Sequence, residues 1–381
     1  MVKFLKTFNR NIRRRIFLWK NLCLEIIDYF IVFFKYGVIG NSIRIEASSI
    51  CQLKCPECPQ TKGKLEIIGK GYLKFEDFKK IVDNYSNFRN IELSNYGEMF
   101  LNPELKNIIK YAYEKNINLT AYNGVNLNAV SEEMLRCLVK YRFKTITISI
   151  DGACNDTYKI YREGGNFDRV IDNIKKINYY KQKYNTKFPR LTWQFIIFGH
   201  NEHELPIARK MARELNMRFR TKLNWSSSYS PVKNKEFVRE ESDLKAASRQ
   251  EYEQIFNKVY LMPCLQFWFE PQINWDGKLL GCCVNTWGDF GNVFESGLKK
   301  CLKSEKYVYI KKALLGKKRD RKDIPCIHCG NWEKIRSRPR HKKMQTLMIP
   351  LGLAEVNFLK LIIGNLKDMI NNVKVAIKTK E

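Results

Sequence analysis

The chain reads as an α/β protein, a parallel sheet of six strands followed by a small cysteine-rich module. Two observations predict this. Between residues 42 and 225, apolar runs with strand character alternate six times with segments of helical periodicity. Beyond residue 260 the composition changes, and six of the 12 cysteines fall between Pro263 and Gly330. Repeated βα units imply a parallel sheet, either curved into a barrel or doubly wound. In both, ligands gather at the C-terminal ends of the strands.

Residues 1–41 form a basic and aromatic segment. Arg13, Arg14 and Arg15 precede a stretch, 16 to 38, that reads as a helix packed on the domain behind it. Its longest apolar run, YFIVFF from Tyr29, is too short to span a bilayer, so the other reading is a helix lying on a membrane surface. SIRIEAS (42 to 48) is the first strand and delivers the loop CQLKCPEC (51 to 58). A helix from Phe75 leads to NIELSN (90 to 95), and a helix begun by Pro103 leads to INLTAYN (117 to 123). Ser131 with Glu132 and Glu133 behind it is an N-cap, and its helix leads to FKTITISI (143 to 150). The helix 167 to 183 precedes LTWQFIIF (191 to 198), and ELPIARKMARELN precedes the last strand, MRFRTKLNW (217 to 225). Residues 226–259 are a polar linker running into a helix. Residues 260–335 are the cysteine-rich module, with INWDGKLLGCC as a hairpin around Asp276 and Gly277, and 336–381 close the chain as an amphipathic helix.

Composition bounds the function. The chain is 44% hydrophobic and 13% aromatic, which excludes disorder, and its net charge of +29 favours anionic partners such as nucleic acid, lipid or phosphorylated substrates. The basic residues are dispersed along the chain, where a nucleic-acid binder would gather them on one element, so nucleic acid is not expected. Twelve cysteines with no secretory signal read as reduced thiols of a cytoplasmic protein, several of them metal ligands.

The Cys51 loop is the most specific feature. Cys51, Cys55 and Cys58 offer three soft ligands, suited to an iron-sulfur cluster or zinc, and no fourth cysteine stands nearby. One coordination position is thus left for something other than protein. Past the other strand ends come Tyr96, Gly97 and Glu98; Asn123 and Gly124; Ser149, Asp151 and Gly152; Gly199, His200, Asn201 and Glu202; and Lys222 with Asn224. In the second module Cys264, one of Cys282 and Cys283, Cys326 and Cys329 supply four thiolates, enough to close a zinc site or a second cluster.

CxxxCxxC after the first strand, Gly-Glu after the second, SIDG after the fourth and the cysteine-rich C-terminal module together resemble radical S-adenosylmethionine (SAM) enzymes with a SPASM or twitch-like auxiliary-cluster domain. The resemblance covers about residues 42 to 335. It implies a partial (β/α)6 TIM-like barrel followed by the small cysteine-rich domain. It implies a [4Fe-4S] cluster held by Cys51, Cys55 and Cys58 and completed by S-adenosylmethionine, which is cleaved to a 5'-deoxyadenosyl radical that takes a substrate hydrogen. By position, Gly97 and Glu98 resemble the motif that meets the methionine amino group, and Ser149 and Asp151 the polar positions near ribose and carboxylate. Arg162 matches an arginine that pairs with the methionine carboxylate, Asn123 a turn asparagine, and Gln194 and Asn201 neighbours of ribose or adenine. One auxiliary [4Fe-4S] cluster is implied at Cys264, Cys282, Cys326 and Cys329. Cys283 stands as a substitute ligand, a hydrogen donor or a packed thiol, and His328 as a spacer. Cys23, Cys137, Cys154 and Cys301 read as structural. Two residues depart from the family pattern: Glu57 before the third cysteine, where an aromatic side chain is common, and Tyr96 where a glycine precedes the Gly-Glu pair.

The resemblance leaves two substrate classes. A sugar, aminocyclitol or other polar metabolite fits a one-cluster module, and a phosphorylated or nucleotide-linked form suits the basic surface. The alternative is a ribosomally made peptide, against which the segment before the barrel reads as short for leader recognition. A reduced ferredoxin or flavodoxin is the implied electron donor. A non-catalytic, metal-stabilised nucleic-acid binder is the remote alternative.

Overall fold

The computed structural model describes residues 41–226, 228–257, 259–261 and 263–337. The helical segment read from 16 to 38, and all but the first two residues of the one read over 336–381, lie outside these residues. Strands β1 (Ser42–Ile45), β2 (Asn90–Glu92), β3 (Asn118–Val125), β4 (Thr145–Ser149), β5 (Arg190–Ile197) and β6 (Arg218–Leu223) fall where the sequence predicts them. Each pairs in parallel with the next, and the sheet is ordered β6-β5-β4-β3-β2-β1-β7. The register puts apolar residues side by side, Ile43 with Ile91, Ile91 with Leu119, and Ile148 with Trp193. These are buried, as sheets covered on both faces require.

The helices alternate with the strands: α1 (Phe75–Asn84), α2 (Leu105–Glu114), α3 (Glu132–Lys140), α4 (Asn155–Tyr161), α5 (Phe167–Lys183) and α6 (Leu205–Glu214). Caps start two of them. Ser131 accepts from the Met134 N–H, and Asn166 from the Arg169 N–H. The ends repeat one device. Asn116, Arg142, Asn185 and Asn216 adopt left-handed φ values of 57°, 51°, 46° and 54°. The next N–H in each case donates to the carbonyl five residues back, at Ala112, Leu138, Lys181 and Ala212. This is the Schellman stop, used four times to turn a helix into a strand.

The seventh strand, β7 (Gln272–Ile273), is the one the sequence reading missed as part of the sheet. It pairs in parallel with β1, Arg44 opposite Gln272 and Ile45 opposite Ile273. The predicted hairpin is present behind it: Asn274 N–H donates to Lys278 O, and Gly277 turns at φ +90°. The expected polar linker also carries structure, α7 (Lys235–Glu241), capped by Asn234, and α8 (Arg249–Phe256), capped by Ser248. After α9 (Gln266–Phe269) come α10 (Val293–Ser296), α11 (Leu298–Lys303), α12 (Glu305–Leu314) and α13 (Trp332–Ser337).

The chain divides into two compact units after Tyr307. The first holds the whole sheet together with Cys264, Cys282 and Cys283; the second holds Cys326 and Cys329. Within the second, Ile324, Cys326, Trp332 and Ile335 are buried, and Cys329 N–H donates to Cys326 O across the CxxC turn. No helix among the described residues is long and apolar enough to cross a membrane.

Candidate active site

Just past β1, the buried Glu46 carboxylate receives the amide N–H of Tyr96 at 2.7 Å and of Gly97 at 3.0 Å. The loop after β2 is thereby fixed against the end of β1. Only glycine fits at 97, because a Cβ there would lie 2.1 Å from Ser48 O. Burial raises the Glu46 carboxyl to about 7, against the pull of those two amides. Glu98 is tied in the same way. Its oxygens accept from Asn126 N–H at 2.6 Å and Phe100 N–H at 3.2 Å, and burial raises it to about 7 as well.

The Cys51 loop lies against the C-terminal ends of β4 and β5. Cys55 packs with Leu53, Tyr161, Ile196 and Phe198, with Cys51, Cys58 and Tyr229 against that cluster. Lys54 N–H donates to Glu163 O, and the Trp225 indole N–H donates to Glu57 O. Glu57, the unexplained departure, pairs its carboxylate with Lys62 at 2.7 Å and lies off the cavity wall. The thiols are in poor surroundings for charge. Burial, then the neighbouring Glu98, pushes Cys51 up to about 12, and burial raises Cys55. Two donors oppose this: Arg162 Nη1 is 3.7 Å from Cys55 Sγ, and Asn126 Nδ2 is 3.8 Å from Cys51 Sγ. Arg162 is itself aimed by Asp151, whose Oδ2 takes Nε at 2.7 Å and Nη2 at 2.6 Å while Oδ1 takes Ile196 N–H at 2.7 Å.

A cavity of about 1110 Å³ opens in front of these thiols, within the first unit. Cys51, Cys55, Cys58, Gly97, Glu98, Asn123, Ser149, Arg162 and Gln194 all line it. Asp151 and Asn201 do not. Both are fully buried: Asp151 stands behind Arg162, and Asn201 staples the turn after β5 through Phe198 N–H and the carbonyls of Asp151 and Ile196. His200 stacks on Phe198 and bonds Ser230, also off the wall. The Glu98 carboxylate is occupied by two backbone amides, so its first task is to hold the strand-end loops together. Gln194 takes Arg220 Nη2 at 2.6 Å on its oxygen and faces Ser149 Oγ with its nitrogen. Gly124 leaves that wall flat, since a Cβ there would meet Ser149 Oγ at 2.3 Å.

Several lining residues were not singled out as ligand contacts by sequence. Asn126 comes two residues past Gly124 in an ordinary turn composition. Arg249 opens the helix that follows the linker, and Trp225 stands at the end of the strand read from 217. Tyr96 was noted only as a departure. It is half-buried on the cavity wall, and burial, then the nearby Cys283 and Cys282, discourages its ionisation. Of the cysteine pair, Cys283 lines the cavity while Cys282 is buried.

The donor set suits an iron-sulfur cluster. Among the described residues no three His, Cys, Asp or Glu side chains close on one point as a single ion requires. A four-iron cluster instead presents a separate iron to each thiolate. Three sulfurs on one cavity wall, with a guanidinium and an amide aimed at two of them, are the donors and the charge compensation it needs.

Comparison with known proteins agrees. Residues 45–209 match the radical SAM superfamily model, and residues 264–330 match the SPASM model, an iron-sulfur cluster-binding domain. The chain belongs to the radical SAM superfamily. Radical SAM enzymes use [4Fe-4S] clusters and S-adenosylmethionine, and those are its cofactors. This radical SAM protein is 27% identical over 146 residues to GTP 3',8-cyclase of Clostridium botulinum, covering 37% of this chain and 44% of that one. It is 24% identical over 196 residues to GTP 3',8-cyclase of Petrotoga mobilis, covering 49% of this chain and 56% of that one. It thus spans about half the length of the curated relatives it matches. Among solved structures, Streptococcus suis SuiB superposes with a TM-score of 0.53 at 17% identity, covering 73% of this chain and 69% of that one. SuiB bound to the precursor peptide SuiA gives 0.51 at 17%, covering 79% and 72%. At that identity the likeness is one of fold.

Proposed function

We propose that the chain cleaves S-adenosylmethionine reductively at a cluster on Cys51, Cys55 and Cys58 and abstracts a hydrogen from a polar small-molecule substrate. The observation that carries this is the placement of the three thiols on one wall of a large cavity at the strand ends, with Arg162 against Cys55. When bound, the cluster and S-adenosylmethionine supply an electron and a 5'-deoxyadenosyl radical. The chain's own residues bind, orient and shield. Arg162, aimed by the Asp151 carboxylate, presents positive charge to the thiolate of Cys55 and to the methionine carboxylate. Glu98 and Glu46 fix the loop of Gly97, so its backbone groups are set for the methionine amino group. Ser149, Gln194 and the bare face of Gly124 form the wall for the nucleoside. Leu53, Tyr161 and Ile196 keep water from the sulfur side.

Cys264, Cys282, Cys326 and Cys329, all within the span of the SPASM match, hold the auxiliary cluster in this reading. Cys283, facing the cavity, is kept as the thiol nearest a bound substrate. A small polar substrate draws support from the curated relatives, whose names give GTP as substrate. Modification of a peptide is the second reading, favoured by the fold shared with SuiB, which was solved with a precursor peptide. A reduced ferredoxin or flavodoxin is the electron donor, an acidic partner suited to a chain of net charge +29.

The test is anaerobic reconstitution. About eight irons per chain are expected, and fewer than about six would sink the two-cluster reading. With dithionite and S-adenosylmethionine the protein should release 5'-deoxyadenosine, and Cys55→Ala should release none. A wild-type protein that carries its iron and still releases none would overturn the assignment.

A further inference from the structure

We propose that Lys222 and Arg249 form a phosphate-recognition subsite on the β6 side of the cavity, taking the phosphate or diphosphate group of a small-molecule substrate. The inference rests on the cavity being the substrate chamber and names the chemistry that one of its walls selects.

Lys222 leaves the C-terminal half of β6, and Arg249 is the first residue of α8; both line the cavity. Neither is held in a salt bridge among the described residues. Arg162, the other deeply held cation of the cavity, is committed to Asp151 and Cys55. By contrast, no carboxylate among the described residues makes an ion pair with Lys222 or Arg249. Glu253, one turn along α8, attracts Arg249, and Asp151 and the Cys283 thiol favour the charge on Lys222, yet for both cations the unfavourable effects prevail. Burial first, then the nearness of Arg249 and Arg220, brings Lys222 down to about 8, and burial lowers Arg249. Two cations that line one cavity and stand in no salt bridge among the described residues are an anion site in waiting, although Glu66, Glu98 and Glu270 line the same cavity.

The geometry is prepared rather than adaptable. Arg249 Nε donates to Leu223 O at 3.2 Å, and its guanidinium lies 4.8 Å from the centre of the Tyr260 ring. The Tyr260 hydroxyl in turn accepts from Leu223 N–H at 3.0 Å, so the strand end, the ring and the arginine are locked together. One edge of the guanidinium is used in that lock and the remaining N–H groups are left for a ligand. A fixed fork beside an ammonium suits the several oxygens of a phosphoryl group. Charge points the same way: a phosphate monoester carries about −1.5 to −2 at pH 7 and neutralises both cations, while one carboxylate leaves a cation over. There is also room. A cavity of about 1110 Å³ exceeds the roughly 300–1,000 Å³ of a site for one drug-sized ligand, as a chamber for a cofactor and a substrate should.

The test uses the full-length, anaerobically reconstituted protein and calorimetry with pyrophosphate and inorganic phosphate as probes. Pyrophosphate should bind the wild type, and Lys222→Met and Arg249→Met should each weaken it at least about tenfold. Lys222→Arg, which keeps charge, should restore most of the loss and guards against a variant that merely misfolds. Absence of pyrophosphate binding to the wild type would overturn the proposal. So would variants that lose S-adenosylmethionine and pyrophosphate together, since the pair would then serve the cofactor carboxylate. A glutamate-rich peptide binding the pair more tightly than pyrophosphate would overturn the small-molecule assignment. Pyrophosphate binding without 5'-deoxyadenosine release would fault the proposed reaction and leave the subsite standing; the reverse would fault the subsite alone.

Discussion

Glu46 carries the cavity's geometry without touching its contents. Its carboxyl, pulled up to about 7 by burial, binds more protons folded than unfolded between its ordinary value of 4.5 and 7. Stability contributed by such a group falls as pH rises through that window. Glu46→Gln keeps an acceptor for the two amides and removes the titration. Urea unfolding of the metal-free protein should therefore lose less stability between pH 5 and 7 in the variant than in the wild type, by about 2 kcal/mol. The residues that touch the cavity were largely legible, because cysteine spacing and the Gly-Glu and SIDG motifs are short and local. What stands behind them was not. Glu46 reads as one more strand-end residue, and nothing in SIDG says that Asp151 takes Arg162 as its partner. Glu57 is explained by Lys62, five residues on, a partner no spacing rule singles out.

Helices and long strands were readable because each repeats its own period, and their stops were not. Asn116, Asn185 and Asn216 are ordinary left-handed caps, their short amides suited to that conformation, whereas Arg142 enters it at φ 51° with no such side chain. Arg142→Gly should raise stability by roughly 0.5–1 kcal/mol in chemical denaturation, the relief of strain exceeding the entropy of the added glycine. A loss would mean that the arginine makes good its strain at the surface. The helix α7 was overlooked although its signal was present, Asn234 accepting from Phe237 N–H ahead of a run rich in Lys and Glu. Strand β7 carried no such signal. Two residues have no period, and their partner lies more than two hundred positions earlier.

At the scale of the molecule, β7 decides how the chain can be cut. The sequence suggests a barrel complete at residue 225, yet β1 would then be an open edge, with Arg44 and Glu46 deprived of Pro271 O and Ile273 O as acceptors. A protein ending at residue 259 should self-associate or precipitate where the full chain does not, as light scattering or size-exclusion chromatography would show. A monodisperse truncation would refute the sheet's dependence on β7. The same pairing has a mechanical meaning. The hairpin that presents Cys282 and Cys283 hangs from the strand that presents Cys51, joined by backbone hydrogen bonds in register, so the two cannot swing apart as on a hinge. A relative with a different substrate would have to re-line this chamber side chain by side chain, because its frame is a single sheet.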